Sequence, residues 1–183
     1  RNADYVMKAD DDFFLRVNQY LADLALLPTE KLYWGRVMKW GAKKGDPSSV
    51  FLFVGGMSVT MSMDLVRWIS TSSVASRNMG PYHGEKARYK EGNMDHEDVM
   101  VGRWFYDAGV EHVIVRDCRF HDIHVGANVK PLRDASIGIH HLKHTVAEYQ
   151  KLFERFKDED SVSKISTVQL DTKQKGVKII HVC

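Results

Sequence analysis

The sequence is poor in cysteine, in long apolar runs and in net charge, and each shortage limits the class of protein. Its two cysteines, Cys118 and Cys183, belong to no zinc-binding pattern, and they either form a lumenal disulfide or remain free thiols. No run is apolar enough to predict a membrane-spanning helix, and the first residues do not resemble a signal peptide. The formal net charge of +2 is too small to indicate a nucleic-acid or anionic-membrane partner.

The remaining composition is that of an ordinary globular chain. Its 183 residues are 44% hydrophobic and 27% charged, which is enough for one domain with a sizeable core. No internal repeat or low-complexity segment is visible. Because the chain starts at Arg1, directly before a strand-like segment, we expect it to be a fragment of a longer protein.

The most distinctive stretch is the acidic cluster Asp10–Asp12. It follows the apolar segment Tyr5–Met7, which predicts a strand, and it precedes residues 13–27, whose apolar spacing predicts a helix that ends before Pro28. In an open α/β sheet, ligands bind where strands end and helices begin. Helix capping accounts for one or two of the acids, whereas three in a row repel one another unless a cation or solvent relieves them. Capping and metal binding both stay open.

Further strands and helices alternate along the chain, which predicts an α/β fold. The predicted strands are Leu32–Met38, Val50–Val54, Val110–Val115 and Val177–Ile180. The predicted helices start at Ser62, run from His96 to Gly109, and follow Thr145 with Val146, Tyr149, Leu152, Phe153 and Phe156 buried. Residues 70–94 are predicted to form a loop on the active-site face, and Arg116–Leu132 is predicted to be irregular.

Several other side chains carry two interpretations each. Glu97 and Asp98 open a helix, where acids are also favourable for the helix dipole alone. His121 and His124 could form a metal pair, but their spacing does not guarantee a shared face. An ordinary surface histidine is the default interpretation of His140-His141. Trp34, Trp40 and Trp104 could stack on a sugar ring, although tryptophan is more often a core residue.

Taken together, four segments resemble a known family. They are Tyr5-Val6-x-Lys8-x-Asp10-Asp11-Asp12-x-Phe14, Tyr33-x-Gly35-Arg36-Val37, a glycine-containing apolar strand ending at Ser62, and Glu97-Asp98-Val99-x-x-Gly102. In this order, and with His140 before an amphipathic helix, they are similar to the β-1,3-glycosyltransferases of glycosyltransferase family 31. That family includes galactosyltransferases, N-acetylglucosaminyltransferases and fringe proteins. The resemblance covers residues 4–157.

The resemblance implies a GT-A-type, Rossmann-like glycosyltransferase fold that is incomplete at its N-terminus. Residues 1–157 would be the C-terminal part of the catalytic domain, and residues 158–183 would be a polar tail with a late strand. The strands that hold the nucleotide base, and the anchor of a type II Golgi membrane protein with a lumenal catalytic domain, would precede this chain. Because missing strands leave a sheet edge exposed, these residues alone are expected to be unstable or inactive.

The resemblance also implies a metal-dependent inverting transfer of galactose or N-acetylglucosamine from a UDP-sugar in β-1,3 linkage. The acceptor would be a glycan on a glycoprotein or glycolipid. The implied catalytic base is Asp98, and the implied ligands of Mn²⁺ or Mg²⁺ are Asp12, Asp10 and His140. The implied donor-binding residues are Asp10, Asp11, Gly55 and Gly56, and the implied acceptor-binding residues are Glu97 and Trp34.

One segment departs from the family pattern, and two other functions stay open. The family's strand usually has a tyrosine after its glycines, whereas Gly56 is followed here by Met57-Ser58-Val59. The first alternative is a non-catalytic glycan-binding or chaperone-like relative that keeps the fold. The second is a phosphoryl hydrolase, which would need a second metal site, and Glu97 with Asp98 is the candidate for it.

Overall fold

In the computed structural model, the chain is described over residues 3–41, 50–78, 96–126, 129–143, 145–158, 169–171 and 176–182. Most of the predicted loop at 70–94 lies outside these ranges, although a short helix is present over Ser73–Asn78. The described residues form mixed α/β structure with two open sheets, so the predicted α/β class is confirmed.

Strands and helices are interleaved along the chain in groups of one to three. The strands are β1 (Tyr5–Ala9), β2 (Phe14–Leu15), β3 (Leu32–Gly41), β4 (Val50–Ser62), β5 (His112–Asp117), β6 (Phe120–Asp122), β7 (Gly138–His140), β8 (Gln169–Asp171) and β9 (Val177–Val182). The helices are α1 (Val17–Leu24), α2 (Met63–Thr71), α3 (Ser73–Asn78), α4 (Glu97–Asp107) and α5 (Val146–Phe156).

The larger sheet has the order β1-β4-β3-β5-β9-β8, and most of its strands share one direction. Strands β1 and β3 both pair antiparallel with β4, and β3, β5 and β9 pair in parallel, so β1, β3, β5 and β9 run the same way. The register places Ala9, Gly35 and Arg116 within about one residue of the same level. The carboxyl ends of β1, β5 and β9 therefore define one edge, which β3 passes as it continues to Gly41. Open α/β sheets bind ligands at such an edge.

The smaller sheet, β2-β7-β6, extends from that edge. It is built directly after the ends of β1 and β5, because β2 follows β1 and β6 follows β5 along the chain. Phe14 pairs with Ile139, and Asp122 pairs with His140. The small sheet thus ties the segment after β1 to residues more than a hundred positions later.

Apolar side chains cover both faces of the larger sheet. On one face, α1 places Tyr20 against Trp34, with the two rings stacked at 4.9 Å between centroids. On the other face, Leu65 of α2 and Phe105 of α4 pack with Tyr33 and Ile114. This arrangement is a three-layer α/β core.

A buried ion network braces the first face. The Arg119 guanidinium lies 3.0 Å from an Asp23 carboxylate oxygen and 2.7 Å from an Asp117 oxygen, and both acids are fully buried. Trp34 Nε1 also donates to Asp117 over 3.1 Å. The network links α1, β3 and the end of β5, which leads into the small sheet.

The first predicted helix starts later than the sequence pattern indicated. Residues 13–27 were predicted to be helical, but Phe14 and Leu15 form strand β2, because they pair with Ile139 and Gly138. Helix α1 begins only at Val17. Tertiary pairing has overridden a local spacing that also fits a helix.

Two further predictions need correction. Val146 and Phe153 were predicted to be buried in the last helix, but they are 73% and 60% exposed. The predicted burial of Leu152 and Phe156 in the same helix is confirmed. Arg116–Leu132 was predicted to be irregular, yet it contains the end of β5 and all of β6.

The late strand that was predicted in the tail is an integral part of the larger sheet. Strand β9 pairs in parallel with β5 over its whole length, from His112 with Val177 to Asp117 with Val182. Cys118 donates its backbone N–H to the Val182 oxygen over 3.2 Å and is disulfide-bonded. The open question about Cys118 is therefore answered in favour of a disulfide.

Substitution of Gly102 by alanine should destabilise the protein. A Cβ at Gly102 would lie 2.4 Å from the Phe53 Cβ and 2.9 Å from the Leu52 oxygen, so α4 would have to move away from β4. Overpacking of this kind costs about 1–3 kcal/mol. Urea unfolding of Gly102→Ala measures this loss in the free energy of unfolding, with Arg103→Ala on the same helix as the control. Equal stability of Gly102→Ala and the wild type would contradict the close packing of α4.

Acid should destabilise the protein through His112. This imidazole is buried beside Tyr33 and Phe105, and burial lowers its pKa despite a hydrogen bond to the Val110 oxygen. The unfolded state therefore takes up a proton at higher pH than the folded state. Stability that is present above about pH 6.5, the ordinary histidine pKa, is lost as the pH falls toward the lowered value.

The measurement is urea unfolding between pH 7.5 and 5.0, in the wild type and in His112→Asn. Asparagine keeps an N–H for the Val110 oxygen but does not titrate. The variant should lose less stability over this range than the wild type. Identical pH dependence in the two proteins would exclude His112 as a source of acid sensitivity.

Candidate functional site

The acidic cluster Asp10–Asp12 occupies the short connection between β1 and β2. Its start is fixed by the hydrogen bond from Asp10 N to the Met57 oxygen, and its end by that from Leu142 N to the Asp12 oxygen. The cluster was predicted to lie at the start of a helix, but it lies between two strands, with α1 beginning at Val17. Helix capping therefore does not explain these acids.

His140 lies directly beside the cluster, because β2 pairs with β7. Its Nε2 atom is 3.1 Å from an Asp12 oxygen and 3.3 Å from an Asp10 oxygen. Its Nδ1 atom is 2.8 Å from Asp122 Oδ1, and the residue is only 8% exposed. An imidazole nitrogen this close to two carboxylate oxygens needs a proton or a cation between them.

His141 joins the same group, although the pattern of residues predicted only an ordinary surface histidine there. One ligand atom each from Asp12, His140 and His141 lie within 4.8 Å of one another. The rings of the two histidines are 3.9 Å apart. These residues form a candidate metal-binding triad. The only signal in the sequence was the adjacency of the two histidines.

The remaining acid of the cluster lies apart from this triad. The Asp11 side chain is exposed, while its main-chain oxygen accepts a hydrogen bond from the Tyr149 hydroxyl over 3.0 Å. Burial raises the pKa of Tyr149, and the nearby Asp12 and Asp11 carboxylates raise it further. The tyrosine therefore stays a neutral donor at the acidic end of the site.

Lys8 connects the acidic cluster to the second acidic motif. Its ammonium lies 2.5 Å from Asp10 Oδ1 and 2.7 Å from Glu97 Oε1, and it donates to the Gly56 oxygen over 3.0 Å. Burial opposes the charge of Lys8, but the ion pairs with Asp10 and Glu97 outweigh it and raise its pKa. The ammonium is therefore charged at neutral pH and holds the two acids together.

Asp98 is held by the backbone N–H groups of Gly56 and Val99. Its Oδ2 accepts from Gly56 N over 2.9 Å, and its Oδ1 accepts from Val99 N over 2.7 Å. A Cβ on Gly56 would lie 3.2 Å from Glu97 Oε1 and 3.6 Å from Asp98 Oδ2. The absence of a side chain at position 56 thus leaves room beside both acids.

Three predicted site residues lie elsewhere. Trp34 was predicted to bind an acceptor, but it is fully buried, and its ring packs on Tyr20 and Phe120, so it cannot stack on a sugar. His121 and His124 do not form a metal pair, because His121 Nε2 bonds to Ser136 Oγ at 2.7 Å and His124 Nε2 bonds to Glu148.

Gly55 also lies away from the acids, since neighbouring residues of a strand face opposite ways. A Cβ on Gly55 would lie 2.8 Å from the Met38 Cε, on the side of β4 opposite to Gly56. Only Gly56 of this pair borders Lys8, Glu97 and Asp98.

Neither the known protein-family models nor the curated proteins contain a match to this chain. Within the described part of the chain, no helix has both the length and the apolar character needed to cross a membrane.

A divalent cation should stabilise the folded protein. With Mn²⁺ as the probe at about 100 times its dissociation constant, binding to the folded state alone adds about 2.7 kcal/mol. His140→Gln should abolish this gain, whereas His181→Gln on β9 should keep it. Thermal unfolding with Mn²⁺ and with EDTA measures the effect. A wild-type melting temperature that does not respond to Mn²⁺ would contradict the triad as a metal site.

Proposed function

We propose that this chain is part of the catalytic domain of a metal-dependent, inverting UDP-sugar glycosyltransferase with a GT-A fold. It would transfer galactose or N-acetylglucosamine in β-1,3 linkage to a glycan of a glycoprotein or glycolipid, as in the glycosyltransferases of family 31 that it resembles. A lumenal Golgi location, with a membrane anchor outside this chain, belongs to the same proposal.

One observation carries the proposal. The Lys8 ammonium contacts both Asp10 and Glu97. Asp10 precedes β4 in the sequence, and Glu97 follows it. The sequence separates Lys8 and Glu97 by 89 positions, yet the fold brings both acidic motifs to the edge where β1, β5 and β9 end. A transferase needs a cation-binding group and a proton-accepting group at one such site.

The donor set fits a divalent cation. Asp12, His140 and Asp10 converge, and a mixture of carboxylate and imidazole suits Mn²⁺ better than Ca²⁺, with Mg²⁺ as the alternative. When bound, the cation would neutralise charge that develops on the UDP leaving group. Gly56 would let the donor sugar approach the backbone of β4, and the exposed Asp11 would contact the donor.

Asp98 would be the residue that accepts the proton. Both of its carboxylate oxygens accept hydrogen bonds from backbone N–H groups, which fix the orientation of the carboxylate. Each oxygen keeps a further lone pair for an acceptor hydroxyl. As the hydroxyl oxygen bonds to the anomeric carbon, its proton passes to Asp98, and the bond from that carbon to the diphosphate oxygen breaks on the opposite face. Glu97, mostly exposed, would orient the acceptor.

The contacts of Lys8 speak against a two-metal phosphoryl hydrolase. That function would need a second cation at Glu97 and Asp98. The positively charged Lys8 ammonium already lies between Asp10 and Glu97. A second divalent cation at this position would be repelled by Lys8.

The test is turnover in the full-length protein with UDP-galactose, UDP-N-acetylglucosamine and UDP-glucose, in Mn²⁺ or EDTA. Asp98→Asn should lower kcat about 10²–10⁴-fold, because the proton acceptor is lost, while UDP and Mn²⁺ still bind. Asp107→Asn, at the other end of α4, is the matched control and should be unaffected.

Full activity in Asp98→Asn would exclude Asp98 as the base. Absence of UDP binding in the wild type would contradict the proposed function as a whole. Metal-dependent UDP binding without turnover of any donor would instead favour the non-catalytic relative.

A further inference from the structure

Asp122 contacts both histidines of the candidate metal triad, and no part of the proposed reaction uses it. It ends β6 and is 2% exposed. Its Oδ1 atom lies 2.8 Å from His140 Nδ1 and 3.0 Å from His141 Nδ1. The pairing of Asp122 with His140 across β6 and β7 fixes this contact in the backbone register.

The partners of the two Nδ1 atoms determine which nitrogen is free to bind a cation. A carboxylate oxygen and a carbonyl oxygen can only accept hydrogen bonds, so each Nδ1 must carry the proton. For His140 the acceptor is Asp122, and for His141 it is Asp122 together with the Val125 oxygen at 2.6 Å. With Nδ1 held by these acceptors, Nε2 is the nitrogen of each ring that remains for a cation, and that of His140 faces Asp12.

The loop after β6 encloses the Asp122 carboxylate. Gly126 has φ of +116°, and a Cβ there would lie 2.4 Å from Asp122 Oδ2 and 2.9 Å from His141 Nδ1. The main-chain oxygen of Asp122 accepts from Lys130 N over 2.9 Å, and Ile123 N donates to the His140 oxygen over 3.2 Å. The backbone around Asp122 is thus fixed by hydrogen bonds, and Gly126 leaves room for its carboxylate.

We propose that Asp122 is a positioning residue that orients His140 and His141 as a pair of Nε2 ligands beside Asp12. The cation site then contains two imidazoles and favours a transition-metal ion over Mg²⁺, since imidazole suits those ions and Mg²⁺ prefers oxygen ligands. A carboxylate behind a metal-binding histidine fixes its tautomer and raises its basicity. This inference rests on the metal site of the proposed function but not on sugar transfer.

The first test is metal affinity in the full-length protein. Mn²⁺ binding is measured from the loss of the free-ion EPR signal, and Co²⁺ and Mg²⁺ are compared by competition. Asp122→Ala should weaken Mn²⁺ binding about 10–100-fold, as loss of such partners does elsewhere. Asp122→Asn, which keeps one accepting oxygen, should lie between Asp122→Ala and the wild type. Mg²⁺ should bind more weakly than Mn²⁺, and Co²⁺ more tightly.

The matched control is Asp117→Asn, a buried acid that pairs with Arg119. It should lose stability but keep its Mn²⁺ affinity, which separates positioning from general destabilisation. Should Asp122→Ala fail to fold, Asp122→Asn and His141→Gln decide the question. Unchanged Mn²⁺ affinity in folded Asp122→Asn and His141→Gln would overturn the inference, as would Mg²⁺ binding as tight as that of Mn²⁺.

A spectroscopic readout tests the ligands directly. Pulsed EPR of bound Mn²⁺ should show coupling to two imidazole nitrogens in the wild type and to one in His141→Gln. A single nitrogen in the wild type would overturn the role of His141. Two nitrogens with weakened binding in the Asp122 variants would support the inference even if no UDP-sugar is turned over, so its failure can be distinguished from failure of the proposed function.

Discussion

Repulsion among carboxylates at the carboxyl edge of the larger sheet is the constraint on which the candidate site depends. The acids Asp10, Asp12, Glu97, Asp98 and Asp122 all contact groups at this edge. Like charges so close together destabilise a fold unless something offsets them. The fold places the Lys8 ammonium and backbone N–H groups beside these acids, and it places the His140 ring between Asp12 and Asp122.

These partners come from separate parts of the chain, so the acids acquire them only when the whole chain has folded. Lys8 on β1 reaches Glu97 only because α4 packs closely on β4, where Gly102 leaves room for Phe53. His140 reaches Asp12 only because β2 pairs with β7. The buried network around Arg119 joins α1 to the end of β5, just before the small sheet begins. Core packing and site geometry are therefore linked through the same elements.

The sequence predicted the elements whose signals are local. The strand before Asp10, the helix that opens at Glu97 and the glycine that ends it at position 109 all follow from periodicity and end signals, and Gly109 has the expected positive φ of 62°. It did not predict β2, because Phe14 and Leu15 also fit a helical pattern and their strand partner lies far along the chain. Local propensity is a weak guide where tertiary pairing decides.

Site residues that belong to recognisable sequence motifs could be predicted. Residues whose role depends on burial or on strand register could not. The family resemblance grouped Asp10, Asp12 and His140, and the fold places them together. Trp34 was assigned to acceptor binding because tryptophan stacks on sugars, but nothing local reveals that its ring fills the core. Asp122 gave no signal at all, since its contacts depend on the β6–β7 register.

The backbone at His141 adds a separate physical argument for a shared role of the two histidines. Adjacent residues of a strand point to opposite faces, so an extended chain would separate their rings. His141 instead has φ of +57°, an unfavourable conformation for a residue with a side chain, and the rings lie 3.9 Å apart. Such strain persists only where surrounding contacts hold it, and here the Val125 oxygen and Asp122 do so. The fold therefore maintains a costly local conformation whose effect is to place a second imidazole beside Asp12.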